Sequence, residues 1–247
     1  MKQTLQLLAF ILTINISAFA ITNTAVANAS SSNHTESNAI HKALHHENRP
    51  QQDKARDAAR KPAEIVKLVD IKPGIKIVDL IAGGGYYSEI FARILNNKGA
   101  LYSVKGRLSK RNLKEYNNIT ISSELDLSDL KEPVDRIFTA LNYHDMINKN
   151  DIDRSKVLKT IYNKLKDDGY FIVIDHNAAP GTGASDTKKK HRVENTFVLN
   201  EIQKAGFILD RSSSVLANPN DNFDLDVWQE STKGKTDRFV YRFKKAK

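Results

Sequence analysis

Asp79, the glycines Gly83, Gly84 and Gly85, and the polar stretches Asn142-Tyr143-His144-Asp145 and Asp175-His176-Asn177 are where side-chain type and spacing in this chain permit chemistry. Glycine lets a ligand approach the backbone closely, and a helix that starts just after it offers N–H groups with no intrahelical partner. The run from Ile77 to Tyr87 has apolar strand-forming residues ahead of the glycines and helix-forming ones behind them, so the turn between is a natural cofactor site. Spacing narrows the choice of cofactor. A dinucleotide turn needs G-x-G-x-x-G, but Gly85 is followed by Tyr86, Tyr87 and Ser88; a phosphate loop needs a lysine that is missing here. His144, with an unperturbed pKa of about 6.5, is suited to take a proton from a hydroxyl or amine, oriented by Asp145 or Asp175. Tyr143 and His176 stand beside it as further catalytic candidates. An alternative use of His144, Asp145, Asp175 and His176 is to hold zinc, manganese or iron, but no segment shows ligand spacing of the H-E-x-x-H kind, and no metal is expected.

These residues need elements to position them, and the hydrophobic periodicity supplies an alternating series. Helical spacing from Gln52 is broken at Pro62, and strands are expected over Ile75–Ile81, Gly99–Val104, Ile119–Ser122, Arg136–Leu141 and Tyr170–Asp175. Helices are expected over Tyr86–Leu95, Leu108–Tyr116, Ser155–Leu165 and Val193–Ala205, the third of them stopped by Asp168-Gly169. Two late strands, at Phe207-Ile-Leu and Arg238-Phe-Val-Tyr-Arg-Phe, flank a long irregular segment from Asn218 to Asp237. Alternation of this kind builds an α/β domain around a largely parallel sheet with helices on both faces. In such sheets ligands gather at the carboxyl ends of the strands, where Asp79, His144 and His176 are expected.

Asp79 followed by Gly83 and Gly85 resembles motif I of the class I S-adenosylmethionine-dependent methyltransferases, with Ile81 in place of the motif's first glycine. The two late strands are similar to the sixth and antiparallel seventh strands of that fold. The resemblance implies a Rossmann-like, seven-stranded, mostly parallel sheet with an antiparallel last strand, and S-adenosylmethionine as cofactor. It implies that Asp79, Ala82, Gly83, Gly84 and Gly85 hold the cofactor's amino-acid and ribose parts, that Asp126 meets the adenine, and that His144 faces the transferred methyl group. After strand two the fold ordinarily carries an acid for the ribose hydroxyls; Lys105 stands there. A narrower set, Arg56-Asp-Ala-Ala-Arg60-Lys-Pro62-Ala-Glu64, Asn142-Tyr-His-Asp145, Asp175-His176, His191 to Phe197 and Ala205-Gly-Phe207, resembles a family of exported bacterial proteins known as predicted methyltransferases. The implied activity is methyl transfer to a small molecule or envelope component; the alternative is an envelope binding protein that keeps the fold with altered or lost chemistry.

Composition frames the rest. The chain has 247 residues, no cysteine and a net charge of +9, which excludes disulfides and favours anionic partners. Lys2 followed by apolar residues 5–20 and by Ala27-Asn-Ala29 reads as a secretory signal peptide over residues 1–29, giving an exported, periplasmic or secreted protein with no membrane span in its mature form. Residues 30–50, rich in Ser, Asn and His, read as a flexible linker, and 51–247 as the methyltransferase-like domain. Lys188-Lys-Lys190 is a local basic cluster without the interleaved aromatic residues of a nucleic-acid motif, so no specific nucleic-acid partner is expected.

Overall fold

Ile77, Val78 and Leu80 are wholly buried, as expected of a strand covered on both faces. They belong to or follow β1 (Lys76–Asp79), which pairs in parallel with β2 (Ala100–Val104) on one side and β4 (Val134–Ala140) on the other. The computed structural model describes residues 36–246, so the expected signal peptide lies outside the described residues. With β3 (Ile119–Ser122), β5 (Leu165–His176), β6 (Phe207–Ser213) and β7 (Arg238–Lys245), the sheet has seven strands in the order β3-β2-β1-β4-β5-β7-β6. β7 runs antiparallel to both β5 and β6. The strand order reverses between β1 and β4, which opens a crevice at their carboxyl ends.

Each sheet face carries its own apolar cluster. One joins α1 (residues 36–44), through its buried Ile40 and Ala43, to α4 (Pro62–Val69) and α5 (Tyr86–Leu95). The other joins α6 (Tyr143–Asn148), α7 (Arg154–Lys164) and α9 (Asn195–Lys204) to the opposite face. Between α1 and α4 lie two single turns, α2 (Gln51–Lys54) and α3 (Asp57–Arg60), and α8 (Thr187–Lys190) follows β5. Among the described residues no helix is long and apolar enough to cross a membrane.

Three expectations need correction. The described part of the expected linker is folded: α1 is helical, Ile40 and Ala43 are 3% and 2% exposed, and the Arg49 guanidinium donates to both Asp57 oxygens at 2.8 Å. Average composition concealed a stripe of Ile40, Ala43 and Leu44 at helical spacing. Residues 108–116 form turns instead of a helix, because Leu108 and Leu113 are anchored in the core and Arg111 is held by Asp53 and Glu89. Asp168-Gly169 does not stop α7, which ends at Lys164; the pair lies inside β5 where its register against β4 shifts. A Cβ on Gly169 would sit 2.8 Å from Leu165 Cδ1 and 3.0 Å from Asp135 O, so the irregularity requires glycine.

Candidate active site

The glycine turn leaves β1 under tight backbone control. Leu80 N donates to Phe138 O at 2.7 Å, Ala82 N to Val104 O at 2.9 Å, and Gly85 N to Ala82 O at 2.9 Å. Ile81, Gly83 and Gly85 have φ of 56°, 54° and 76°, so Ile81 adopts the left-handed conformation that a glycine would take without strain. The glycines differ in role. A Cβ on Gly85 would overlap Leu108 Cδ2, whereas one on Gly84 meets nothing within 4 Å. Gly85 serves packing, and Gly84 faces open space. Asn142 fastens the turn to the end of β4 by donating to Ile81 O at 2.9 Å and Ala140 O at 2.7 Å.

Asp79 closes β1 with 3% exposure, and its Oδ2 accepts from Ser88 Oγ at 2.6 Å. Burial pushes its carboxyl up to about 7, outweighing that hydrogen bond and the positive potential of Arg111 and Arg60. A cavity of about 540 Å³ lies above it, reached by Asp79, Ala82, Gly83 and Gly84 from β1 and the turn, by His144 and Asp145 from α6 and by His176 from the end of β5. A second cavity of about 480 Å³ lies on the other side of Gly84, between Gly106, Arg107 and Ile121.

His144 sits in the first turn of α6, where Asp175 grips it twice. Asp175 Oδ1 lies 2.8 Å from His144 Nδ1, and Asp175 Oδ2 accepts the His144 backbone N–H at 2.8 Å. A carboxylate oxygen accepts, so the 2.8 Å contact favours the tautomer with the proton on Nδ1; Nε2 lies 3.4 Å from Asp145 Oδ1. Burial alone would lower the imidazole pKa; the charge of Asp175 and its hydrogen bond outweigh burial, and the net shift is upward. Histidine with a buried carboxylate behind one nitrogen and a cavity before the other is arranged to accept a proton.

The remaining candidates divide. His176 lines the cavity, but its Nδ1 is 2.7 Å from Thr236 Oγ1 and burial takes its pKa down to about 3, so it stays neutral. Tyr143 packs in the second apolar cluster and donates its hydroxyl to Glu201 Oε2 at 2.6 Å, so it lines neither cavity. Asp126 is exposed, accepts from Ser128 N at 3.0 Å and lines neither cavity. Lys105 is likewise exposed and lines neither. Among the described residues no three His, Asp or Glu side chains are grouped to hold a metal ion.

Sequence reasoning named Asp175 only as one of two possible partners and missed Arg60, Arg238 and Trp228, all of which line the larger cavity. Arg60 comes from α3, inside the landmark at residues 56–64 but with no role attached to it, and Arg238 and Trp228 come from the start of β7 and the long segment before it, which no motif marks.

No family model matches this chain, and no curated protein matches it. Solved structures do share its fold. A SAM-dependent methyltransferase from Aquifex aeolicus superposes with a TM-score of 0.50 at 17% identity, over 76% of this chain and 97% of that one. The glycopeptide N-methyltransferase MtfA in complex with sinefungin superposes with a TM-score of 0.52 at 10% identity, over 78% and 87%. The same enzyme in complex with S-adenosyl-L-homocysteine gives 0.51 at 12%, over 77% and 87%. The chain thus has the Rossmann-like fold of these methyltransferases, with the antiparallel β7 inserted between β5 and β6.

Proposed function

We propose that this protein is an S-adenosylmethionine-dependent methyltransferase whose cofactor lies over the Asp79–Gly84 turn and whose acceptor is a hydroxyl or amine deprotonated by His144. The observation that carries the reading is that the His144–Asp175 pair and the glycine turn open onto one cavity. The residues suit such a cofactor: Gly84 leaves a cradle that a larger side chain would fill, and Asp79 presents a carboxyl to a cationic amino-acid end, whose charge draws that carboxyl back toward its ionised form. When bound, the cofactor supplies an activated methyl group. His144 Nε2 accepts the acceptor's proton as the new bond forms, and Asp175 stabilises the resulting imidazolium while holding the ring in place. The acceptor class we propose is a small molecule or envelope component, met after export by the leader read in residues 1–29, within the family of exported proteins that the sequence resembles. Detection of intact Met1 on envelope-fraction protein would overturn the cleavage.

The binding test uses the chain's single tryptophan. Trp228 lines the cavity and is 65% exposed, so titration with S-adenosylhomocysteine is expected to change its emission and to release or absorb heat in parallel calorimetry. No heat and no thermal shift at ~1 mM ligand would refute the cofactor assignment. A second reading, a binding protein with a different ligand, is favoured by one observation: among the described residues, no carboxylate apart from Asp79 and Asp145 lines either cavity to accept from ribose hydroxyls. Silence toward S-adenosylhomocysteine with saturable binding of another anion would select it.

A further inference from the structure

The cleft holds two arginines that, among the described residues, form no ion pair with a carboxylate. Arg238 opens β7 with 7% exposure; one guanidinium nitrogen, Nη2, donates to Ala59 O at 2.6 Å, while the buried Nε has no partner. Arg60 ends α3 with its guanidinium 4.5 Å from the centre of the Tyr86 ring, and among the described residues that guanidinium makes neither an ion pair nor a hydrogen bond. Both line the cavity with Asp79 and His144.

Asp79 and Asp145 line the same cavity, Asp79 on Ser88 and Asp145 beside His144, and the acids around it are committed elsewhere. Asp57 takes Arg49 at 2.8 Å and the Tyr86 hydroxyl at 2.6 Å. Asp53 takes Arg56 and Arg111, and Glu89 takes Arg93 at 2.7 Å together with Arg111. Asp237, next in sequence to Arg238, accepts from Asn177 Nδ2 at 2.9 Å and Asn218 N at 2.8 Å. Burial draws both guanidiniums below their ordinary pKa, and the charge of Arg60 adds to the effect on Arg238. A buried, unpaired charge is costly, and an unsatisfied buried donor adds to the cost. The third arginine that lines this cavity, Arg56, is paired with Asp53, so the exception at Arg60 and Arg238 points to something that arrives from outside.

We infer that Arg60 and Arg238 form an oxyanion subsite in the cleft that takes the carboxylate of a bound ligand. Guanidinium groups match carboxylates in geometry, and Nε is one of the donors such a pairing uses. Within the methyltransferase reading the carboxylate has two sources, the amino-acid end of the cofactor or an acidic methyl acceptor.

Calorimetry on the full mature chain with three probes separates these: malonate, S-adenosylhomocysteine, and 5′-methylthioadenosine, which lacks the amino-acid end. Wild type is compared with Arg60→Gln, and with Arg238→Lys, which keeps the charge but not the fork. About a tenfold loss of S-adenosylhomocysteine affinity in Arg60→Gln, with methylthioadenosine unchanged, assigns the subsite to the cofactor. A similar loss for malonate alone assigns it to the acceptor. Malonate binding that depends on Arg60, with no S-adenosylhomocysteine binding at all, keeps the subsite and removes the methyltransferase reading. Because Arg60 makes no ion pair among the described residues and Arg60→Gln gives up only its stacking on Tyr86, the unliganded melting midpoint is expected to change by no more than about 2 °C, which separates a lost ligand contact from a damaged fold. Equal affinities of wild type and Arg60→Gln for both malonate and S-adenosylhomocysteine, or binding of neither to wild type, overturns the inference.

Discussion

Asp79 and His144 face the same cavity, and their surroundings move their pKa values upward for opposite reasons. Burial raises Asp79 to about 7 against an ordinary 3.8, so between those values the folded chain keeps a proton that the unfolded chain has lost, and stability falls as pH rises through that window. Asp79→Asn removes this penalty. The variant is expected to be more stable at pH 8 by on the order of 2–4 kcal/mol in urea unfolding, little changed near pH 4, and weaker toward S-adenosylhomocysteine. An equal difference at both pH values would rule out ionisation as the cause. His144 is raised by the charge of Asp175 despite burial, so its stabilising contribution is complete below 6.5 and is lost as pH rises through the higher folded value. Its imidazole is expected to titrate above 6.5 by NMR, and in Asp175→Asn below the wild-type value. An unchanged titration would dismiss Asp175 as the cause. Sequence named both residues but could not choose between Asp145 and Asp175, since the choice depends on how far α6 is turned against the end of β5.

The strand-to-helix turn shows how one element divides its work among similar residues. Gly85→Ala is expected to cost more than 2 kcal/mol, in line with ~1–3 kcal/mol for overpacking plus the left-handed φ of 76°. Gly84→Ala, with open space around it, is expected to leave stability within about 0.5 kcal/mol, and Gly84→Val to weaken S-adenosylhomocysteine binding by crowding the ligand. Chemical denaturation of both alanine variants checks the contrast; similar losses would place the two glycines in the same environment. Ile81 keeps the motif's backbone without its glycine. Relief of its left-handed φ predicts that Ile81→Gly is about 1 kcal/mol more stable than Ile81→Ala, a pair that loses nearly the same packing. The order of the elements was readable because apolar period and glycine position are local properties. The segment 108–116 was not, because ion pairs from Arg111 to Asp53 and Glu89 decide its shape.

Across the whole molecule, two apolar clusters grip a sheet whose order reverses between β1 and β4, and residues ahead of Gln51 complete one of them. Full burial of a side chain such as Ile40 is worth about 1.5–3 kcal/mol, to which the Arg49–Asp57 pair adds. A chain beginning at Gln51 is therefore expected to lose about 2 kcal/mol or more and to melt several degrees lower than one beginning at Ser30. Equal melting points would return residues 40–50 to the status of a linker.

The sequence alone determined the α/β alternation, the span Tyr86–Leu95, the glycine turn with Asp79 beneath it, and the position of His144 after the fourth strand. Each of these follows from neighbours a few residues away: apolar period, missing Cβ atoms, and the rule that ligands meet parallel sheets at the strands' carboxyl ends. Tertiary structure decided which polar groups meet. It gave Asp175 to His144, packed Tyr143 in the second apolar cluster, placed Asp126 and Lys105 outside both cavities, and left Arg60 and Arg238 in the cleft with no ion pair among the described residues. Pairings of this kind join residues far apart in the chain and depend on side-chain direction and burial, which are settled only when the elements pack.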